Sequence, residues 1–340
     1  MWPPGLSSVL APCLALSAAL LVGAGLIWAS GASVLAAYGG LLMGMCGSWH
    51  ALAETGVAAT PYILTGLAVA VGLQGGLFNI GAEGQLYLGA LSAVVVGYAV
   101  DGLPQVVHVP LALLAGALGG ALWAALPGFL KARLGAHEVI NTIMLNYVAI
   151  KLVDYLVKQV LRDPSASVDR TPSILATARL PALFGPEMRL HAGLLLALAA
   201  VGCIAWLLAR TTLGFAIRTV GVQPTAAHYA GMSIPRIVVG TMVLSGLLAG
   251  LAGASEVLGL YHTLPAAFST GYGFDAIAVA VLAKSHPLSV LPAALLWGGL
   301  RNGAGLMQVR TGVSIDFINV LQALVIVGLA AYPRLRARRR

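Results

Sequence analysis

The chain has 340 residues, of which 59% are hydrophobic and only 9% charged, with a formal net charge of +8. A soluble domain carries roughly a quarter charged residues, so a soluble globular protein is excluded. The apolar residues come in solid blocks without dyad alternation, which excludes a membrane β-barrel.

The elements that remain are helices. Apolar blocks fall near 8–29, 34–47, 58–77, 82–100, 105–130, 138–158, 191–209, 236–260, 274–284, 287–305 and 317–332. A bilayer-spanning helix needs about 20 such residues. The first block has almost no charge before it and no cleavage site after Trp28, so it reads as a retained helix. Block 34–47 is short of a span, and 33–56 reads as a helix along the outer surface. Block 274–284 is also short and reads as a broken or half-length helix. Excluding 33–56 leaves ten crossings in an all-α polytopic membrane protein.

Charge sets the orientation. Arg334, Arg336, Arg338, Arg339 and Arg340 follow the last apolar block, and the loop 210–236 is basic and free of acids. Both should be cytoplasmic, because positive residues stay inside. Counting back puts 162–191 outside, with Arg162, Asp163, Asp169, Arg170, Arg179, Glu187 and Arg189, and puts Lys131 and Arg133 inside. This placement makes anionic membrane lipid the partner of the positive charge, with no nucleic acid required.

The stretch GLFNIGAEGQLYLGAL (76–91) breaks the apolar pattern with Asn79, Glu83 and Gln85 among glycines. Glycine lets a helix break and lets neighbours approach. A break inside a membrane exposes backbone groups that only protein or a watery cavity satisfies. Asn79, Glu83 and Gln85 suit that task, and they equally suit a translocation path, where an intramembrane carboxylate is a functional candidate. Glu83 also falls in the first turn of a helix starting near Ala82, where the helix dipole favours an acid. A second element, GYGFDAIAVAVLA (271–283), repeats the theme with Phe274 and Asp275 after Gly271 and Gly273. The two elements run in opposite senses, as an inverted repeat with interrupted helices, the sequence pointer to a transport site. Glu256, near the outer end of block 236–260, is expected to meet water or a polar partner. Glu54 and Asp316 fall at block edges and are expected to be solvated.

The pairs Gly40/Gly44, Gly72/Gly76, Gly116/Gly120, Gly246/Gly250 and Gly299/Gly303 favour close helix packing. Asn141, Asn146, Gln74 and Asn302 are amides expected to glue helices together. Enzymatic signatures are missing. No lysine follows a glycine, so there is no phosphate loop; HEVIN (137–141) lacks a second metal-binding histidine; there is no GxSxG elbow. Cys13, Cys46 and Cys203 are scattered, without metal or disulfide spacing. No cofactor is implied. In 210–236, Pro224 and Pro235 bracket TAAHYAG, whose small Ala226, Ala227 and Gly231 suit a surface helix that docks in a groove. An ordinary basic connector would look similar.

Four stretches together carry a resemblance: GLFNIGAEGQLYLGA, HEVINTIMLNYVA, TTLGFAIRTVGVQPTAAHYAGMSIPR and GYGFDAIAVAVLAKSHPLSVLPAALLWGGL. From about residue 33 onward the chain resembles permease subunits of bacterial ABC importers for nucleosides, within the branched-chain amino acid and simple-sugar permease family. The resemblance implies one permease domain over 1–340, with halves at about 58–158 and 191–332 and a cytoplasmic coupling loop at 210–236. It implies a multi-pass protein of the bacterial inner membrane, with a second homologous permease subunit, a separate ATPase and an extracytoplasmic substrate-binding lipoprotein as partners. TAAHYAG resembles the ATPase-coupling segment, assigning that role to Thr225, Ala226, Ala227 and Gly231; Thr225 stands where the family often has an acid. His137 stands where the family more usually has Asn. The FNIGAEGQ form is similar to the nucleoside branch, whereas sugar permeases show a DLSVG-like version there.

The resulting expectation is nucleoside import, with Phe78, Asn79, Glu83, Gln85, Phe274 and Asp275 along the substrate path and ATP hydrolysis in another subunit. The alternatives are a permease for simple sugars or branched-chain amino acids, a proton-coupled carrier using Glu83 or Asp275, and a membrane scaffold without transport.

Overall fold

The computed structural model describes residues 6–185 and 187–337, with side chains over 17–328 apart from residue 186. Arg338, Arg339 and Arg340 lie outside the described residues, as do the side chains of Arg334, Arg336 and Cys13. Among the described residues the structure is helical, with isolated β-bridges and no strand. Among the described residues, five helical segments are long and apolar enough to cross a membrane: Trp49–Gln74, Gln105–Leu134, Glu138–Val160, Gly193–Arg210 and Ile234–Tyr261.

The chain divides into two units. One comprises Met1–Ala59 and Leu295–Arg340. It contains α1 (Leu6–Ala29), α2 (Val34–Cys46), the start of α3 (Trp49–Gln74), most of α12 (Pro287–Thr311) and α13 (Phe317–Ala337). Its core gathers Ile27, Leu41, Leu300, Met307 and Leu321. A β-carbon on Gly44 would lie 2.7 Å from the Gly303 Cα, so the pairs Gly40/Gly44 and Gly299/Gly303 face each other. Asn302 glues this contact as its amide predicts, donating to the carbonyls of Gly44 (2.8 Å) and Ala51 (3.1 Å).

The single surface helix expected over 33–56 is two helices. Gly47 ends α2, and the Ser48 hydroxyl accepts the Ala51 N–H at 3.0 Å, which starts α3 afresh. Residues 49–56 are therefore the opening turns of a long helix. Glu54, expected to be solvated, is buried there, whereas Asp316 is exposed.

The other unit is Thr60–Ala294. It holds the rest of α3, then α4 (Ala82–Ala99), α5 (Gln105–Leu134), α6 (Glu138–Tyr155), α7 (Gly193–Arg210), α8 (Thr212–Val222), α9 (Pro224–Tyr229), α10 (Ile234–Glu256) and α11 (Tyr272–Leu282). Helices α4, α5 and α10 form its centre. They meet backbone to backbone: a β-carbon on Gly120 would lie 2.7 Å from the Gly250 Cα and would strike the Gly246 carbonyl. Without a hydrophobic drive between helices in lipid, this close approach supplies the packing energy.

α6 and α10 each run on into a π-turn, Leu156–Val160 and Val257–Tyr261. The segment between α6 and α7 folds back over the ends of α4 and α10. Its backbone N–H groups at Ile174, Leu175 and Leu180 donate to the carbonyls of His262, Gly97 and Leu258, each at 2.9 Å. With only a single 3-10 turn, Ala176–Ala178, among its described residues, it borrows acceptors from helix ends.

Candidate functional site

The first break follows α3. Gly76 adopts φ +70°, and the Leu77 N–H turns back to the Gly72 carbonyl at 2.9 Å. A left-handed residue closes the helix, and glycine takes that conformation without strain. The chain then runs irregularly from Leu77 to Gly81 before α4 begins.

Every polar side chain near the break has work. Asn79 is buried, accepts the Gly81 N–H at 2.9 Å, and donates to the Ser245 hydroxyl at 2.8 Å and to Gln85 Oε1 at 3.0 Å. The Ser245 hydroxyl in turn donates a hydrogen bond to the Ala68 carbonyl at 2.6 Å. Asn146, on α6, accepts the Gly84 N–H and donates to the Ile80 carbonyl, both at 2.8 Å. One amide therefore satisfies both a donor and an acceptor that the break frees. Sequence reasoning gave Asn146 only the role of helix glue. Its signal was an amide on an otherwise apolar helix, with nothing in the chain order to say that α6 lies beside the break.

Glu83 behaves differently from expectation. It does lie in the first turn of α4. Its Oε2, however, accepts the Gly273 N–H of α11 at 2.6 Å. It caps the partner break, whose opening N–H groups have no helical acceptor. Asp275 likewise lies in the first turn of α11 while its Oδ2 accepts the Tyr62 hydroxyl of α3 at 3.0 Å. Gly273 allows the crossing, since a β-carbon there would collide with the backbone of Glu83.

The four polar path candidates thus fall into two sets. Asn79 and Gln85 bond each other, and Asn79 also bonds Ser245; Glu83 and Asp275 belong to the crossing of α11 with α4 and α3. Phe78 is half-buried at the break, and Phe274 is exposed. Aromatic rings surround the crossing. Tyr62 stands edge-on to Tyr272 at 5.3 Å, Tyr87 to Phe268 at 4.8 Å, and Phe268 to Tyr261 at 6.2 Å. Sequence reasoning missed Tyr62, Tyr87 and Phe268, which are spread over three elements. Glu256, expected to meet water or a polar partner, is buried, and neither of its oxygens completes a hydrogen bond among the described residues.

The loop 210–236 forms two short helices and the start of α10. The Thr211 hydroxyl caps α8 by accepting the Gly214 N–H at 3.0 Å. Pro224 opens α9, and Gly231, at φ +79°, lies in the turn that follows it. Thr225, Ala226 and Gly231 are exposed. Ala227 is buried in an apolar cluster with Leu77, Val220, Val238 and Met242. The α8 backbone at Gly221 also presses on the break: a β-carbon there would lie 2.7 Å from the Gly76 nitrogen.

A family model described as branched-chain amino acid transport system, permease component, matches residues 51–330. The chain belongs to that family. The permease is accordingly an integral protein of the cytoplasmic membrane and the transmembrane subunit of an ABC importer, and ATP hydrolysis lies in a separate subunit. It is 42% identical to the guanosine ABC transporter permease protein NupP of Bacillus subtilis, over 96% of this chain and 94% of that relative. It is 37% identical to the glucose ABC transporter permease protein TsgB13 of Haloferax volcanii, over 94% and 86%. It is 34% identical to the nucleoside ABC transporter permease protein NupB of Lactococcus lactis, over 95% and 90%. No solved structure matches the permease.

Proposed function

We propose that this permease moves nucleosides inward across the cytoplasmic membrane, driven by an ATPase that docks on 210–236. The chain would act as one permease domain with halves at about 58–158 and 191–332, crossing the membrane about ten times as an inverted repeat. The two interrupted helices are the elements that rearrange. A second homologous permease subunit would complete the pathway, and an extracytoplasmic binding lipoprotein would deliver cargo.

One observation carries the coupling. Leu77, the first residue past the Gly76 turn, shares an apolar cluster with Ala227 of α9, and Gly221 of α8 touches Gly76. A push on the exposed face of Thr225, Ala226 and Gly231 reaches the break through packed atoms, with no mobile linker between. Such a contiguous path is what mechanical coupling needs.

Nucleoside cargo is supported by the two relatives named for guanosine and nucleosides, and by the aromatic rings around the α11 crossing, since a base offers a flat face to aromatic side chains. Phe78, Asn79, Glu83, Gln85, Phe274 and Asp275 would line or shape the path. Sugar transport is the second reading, favoured by the relative named for glucose. Uptake of radiolabelled guanosine into cells expressing the complete importer, challenged with an excess of unlabelled compounds, separates the two. Nucleosides should abolish uptake, and glucose and leucine should leave it intact. No guanosine uptake by the complete importer, with labelled glucose taken up instead, overturns the nucleoside reading.

A further inference from the structure

Most buried polar groups near the breaks are satisfied, which makes the exceptions informative. Glu256 is 1% exposed, and neither carboxyl oxygen has a hydrogen-bond partner among the described residues. Ser255, its neighbour, is fully buried and its hydroxyl is equally unpartnered. Buried polar atoms are almost always hydrogen-bonded, and each exception calls for a reason. Helix packing alone would be better served by an apolar side chain of the same shape.

The location supplies a reason. Glu256 is the last α-helical residue of α10, directly before the π-turn Val257–Tyr261. Such single wide turns interrupt helices most often at functional sites. One turn earlier, Gly253 lies against the α4 backbone at Leu86 and Ala90. The Tyr272 hydroxyl, at the start of α11, is a polar neighbour within reach of the Glu256 carboxyl, although it does not complete a hydrogen bond to either oxygen. The next residue, Gly273, is the one whose N–H goes to Glu83. Glu256 therefore stands beside the meeting point of the two interrupted elements. The rings of Tyr261, Phe268 and Tyr87 continue edge to face from the end of its own π-turn.

We infer that Glu256 is a cargo-reading residue of the translocation path, whose carboxyl oxygen accepts a ring N–H on the hydrogen-bonding edge of a nucleobase while the neighbouring aromatic rings receive the base's faces. The inference rests on the nucleoside reading above and deepens it. The matching donors are N1–H of guanine or hypoxanthine and N3–H of uracil. A carboxyl group accepts such a donor in either protonation state, because one oxygen keeps free lone pairs in both. When the elements separate during the transport cycle, the unpartnered oxygen gains a partner that the resting packing does not give it. A site built to accept an N–H discriminates strongly against an analogue without it, since its own polar group is then left buried and unpaired.

The test compares uptake of guanosine and of 1-methylguanosine, which lacks the N1–H, by the complete importer reconstituted in liposomes. Wild type, Glu256→Gln and Glu256→Met are each assembled with the same binding protein, so its own preference cancels between them. Glutamine keeps an accepting carbonyl; methionine keeps the volume and removes the polar group. Basal ATP hydrolysis by each assembled complex verifies folding. The ratio of guanosine to 1-methylguanosine uptake should stay within about twofold of wild type in Glu256→Gln and fall about tenfold in Glu256→Met, the effect of one lost hydrogen bond. An unchanged ratio in Glu256→Met overturns the inference and leaves the nucleoside reading standing. A ratio lost equally in Glu256→Gln overturns it too, because an accepting oxygen is then not what the cargo meets. A wild-type complex that takes up no nucleoside overturns both readings.

Discussion

The Glu83 carboxylate and the Gly273 backbone N–H, 190 residues apart in the chain, form a 2.6 Å hydrogen bond that ties the start of α4 to the start of α11. It is buried, and it joins the two places where helices of this unit are interrupted. Glu83→Ala would leave the Gly273 N–H orphaned, at a cost of about 1–3 kcal/mol. Glu83→Gln keeps an acceptor and should lose less. Thermal melting of the purified complex should therefore rank wild type above Gln above Ala. If Glu83→Gln melts like wild type, is equally abundant and yet transports nothing, the carboxylate meets the cargo directly and its clasping role is secondary.

The glycine contacts predict a sharp contrast. Gly120→Ala would drive a β-carbon into the Gly246 carbonyl and the Gly250 backbone, with no flexible side chain to yield. Overpacking of that kind costs about 1–3 kcal/mol. Gly202, on α7, has open space at the same position. Alanine there should stabilise by up to about 1 kcal/mol through helix propensity. Melting temperatures of the two variants should move in opposite directions.

Gly221→Ala addresses coupling. Its β-carbon would displace the Gln74–Gly76 backbone and so shift the break against α8. ATP hydrolysis by the assembled importer should persist while uptake falls at least about tenfold. A parallel loss of both would mean that the substitution only prevents assembly, and retention of both would remove Gly221 from the coupling path.

The segment between α6 and α7 carries a pH dependence. His191 is buried, its Nδ1 accepts the Gly193 N–H at 3.1 Å, and its ring fills the space beside Gly259. Burial, and secondarily His262, push its pKa from the ordinary 6.5 down to about 4. Burial and then Arg179 lower His262 as well. Between those values the unfolded segment binds a proton that the folded one refuses. Stability is therefore full above pH 6.5, declines as pH falls, and levels off near pH 4. At about 1.4 kcal/mol per unit the loss from His191 reaches about 3 kcal/mol. Hydrogen exchange of residues 174–192 should accelerate across this range, and His191→Gln should flatten the response.

Much of this was legible in the sequence. Apolar blocks gave the helices, because a membrane leaves no other way to satisfy the backbone, and glycines with scattered amides marked the break after Gln74. GxxxG pairs at 116/120 and 246/250 pointed to contacts that exist. The partners were not legible. Glu83 in a helix's first turn suggests a cap for its own helix, whereas its acceptor role lies across the unit at Gly273. Asn146 and Tyr62 reach the breaks through tertiary packing that no local pattern encodes. The restart of α3 at Trp49 was hidden because a polar stretch containing His50 and Glu54 resembles a surface helix until burial is known. Glu256 was expected to meet water or a polar partner; burial removes the water and leaves the Tyr272 hydroxyl as a polar neighbour.

In the proposed cycle, ATP hydrolysis transmitted through 210–236 drives nucleoside import by this permease. The most direct measurement is guanosine uptake into liposomes that hold the permease, its partner permease and the ATPase, with the binding protein supplied. Uptake should require hydrolysable ATP, vanish when the ATPase is inactivated, and persist when the proton gradient is collapsed. Uptake that continues without the ATPase and stops with the gradient would contradict the account and make the protein a proton-coupled carrier.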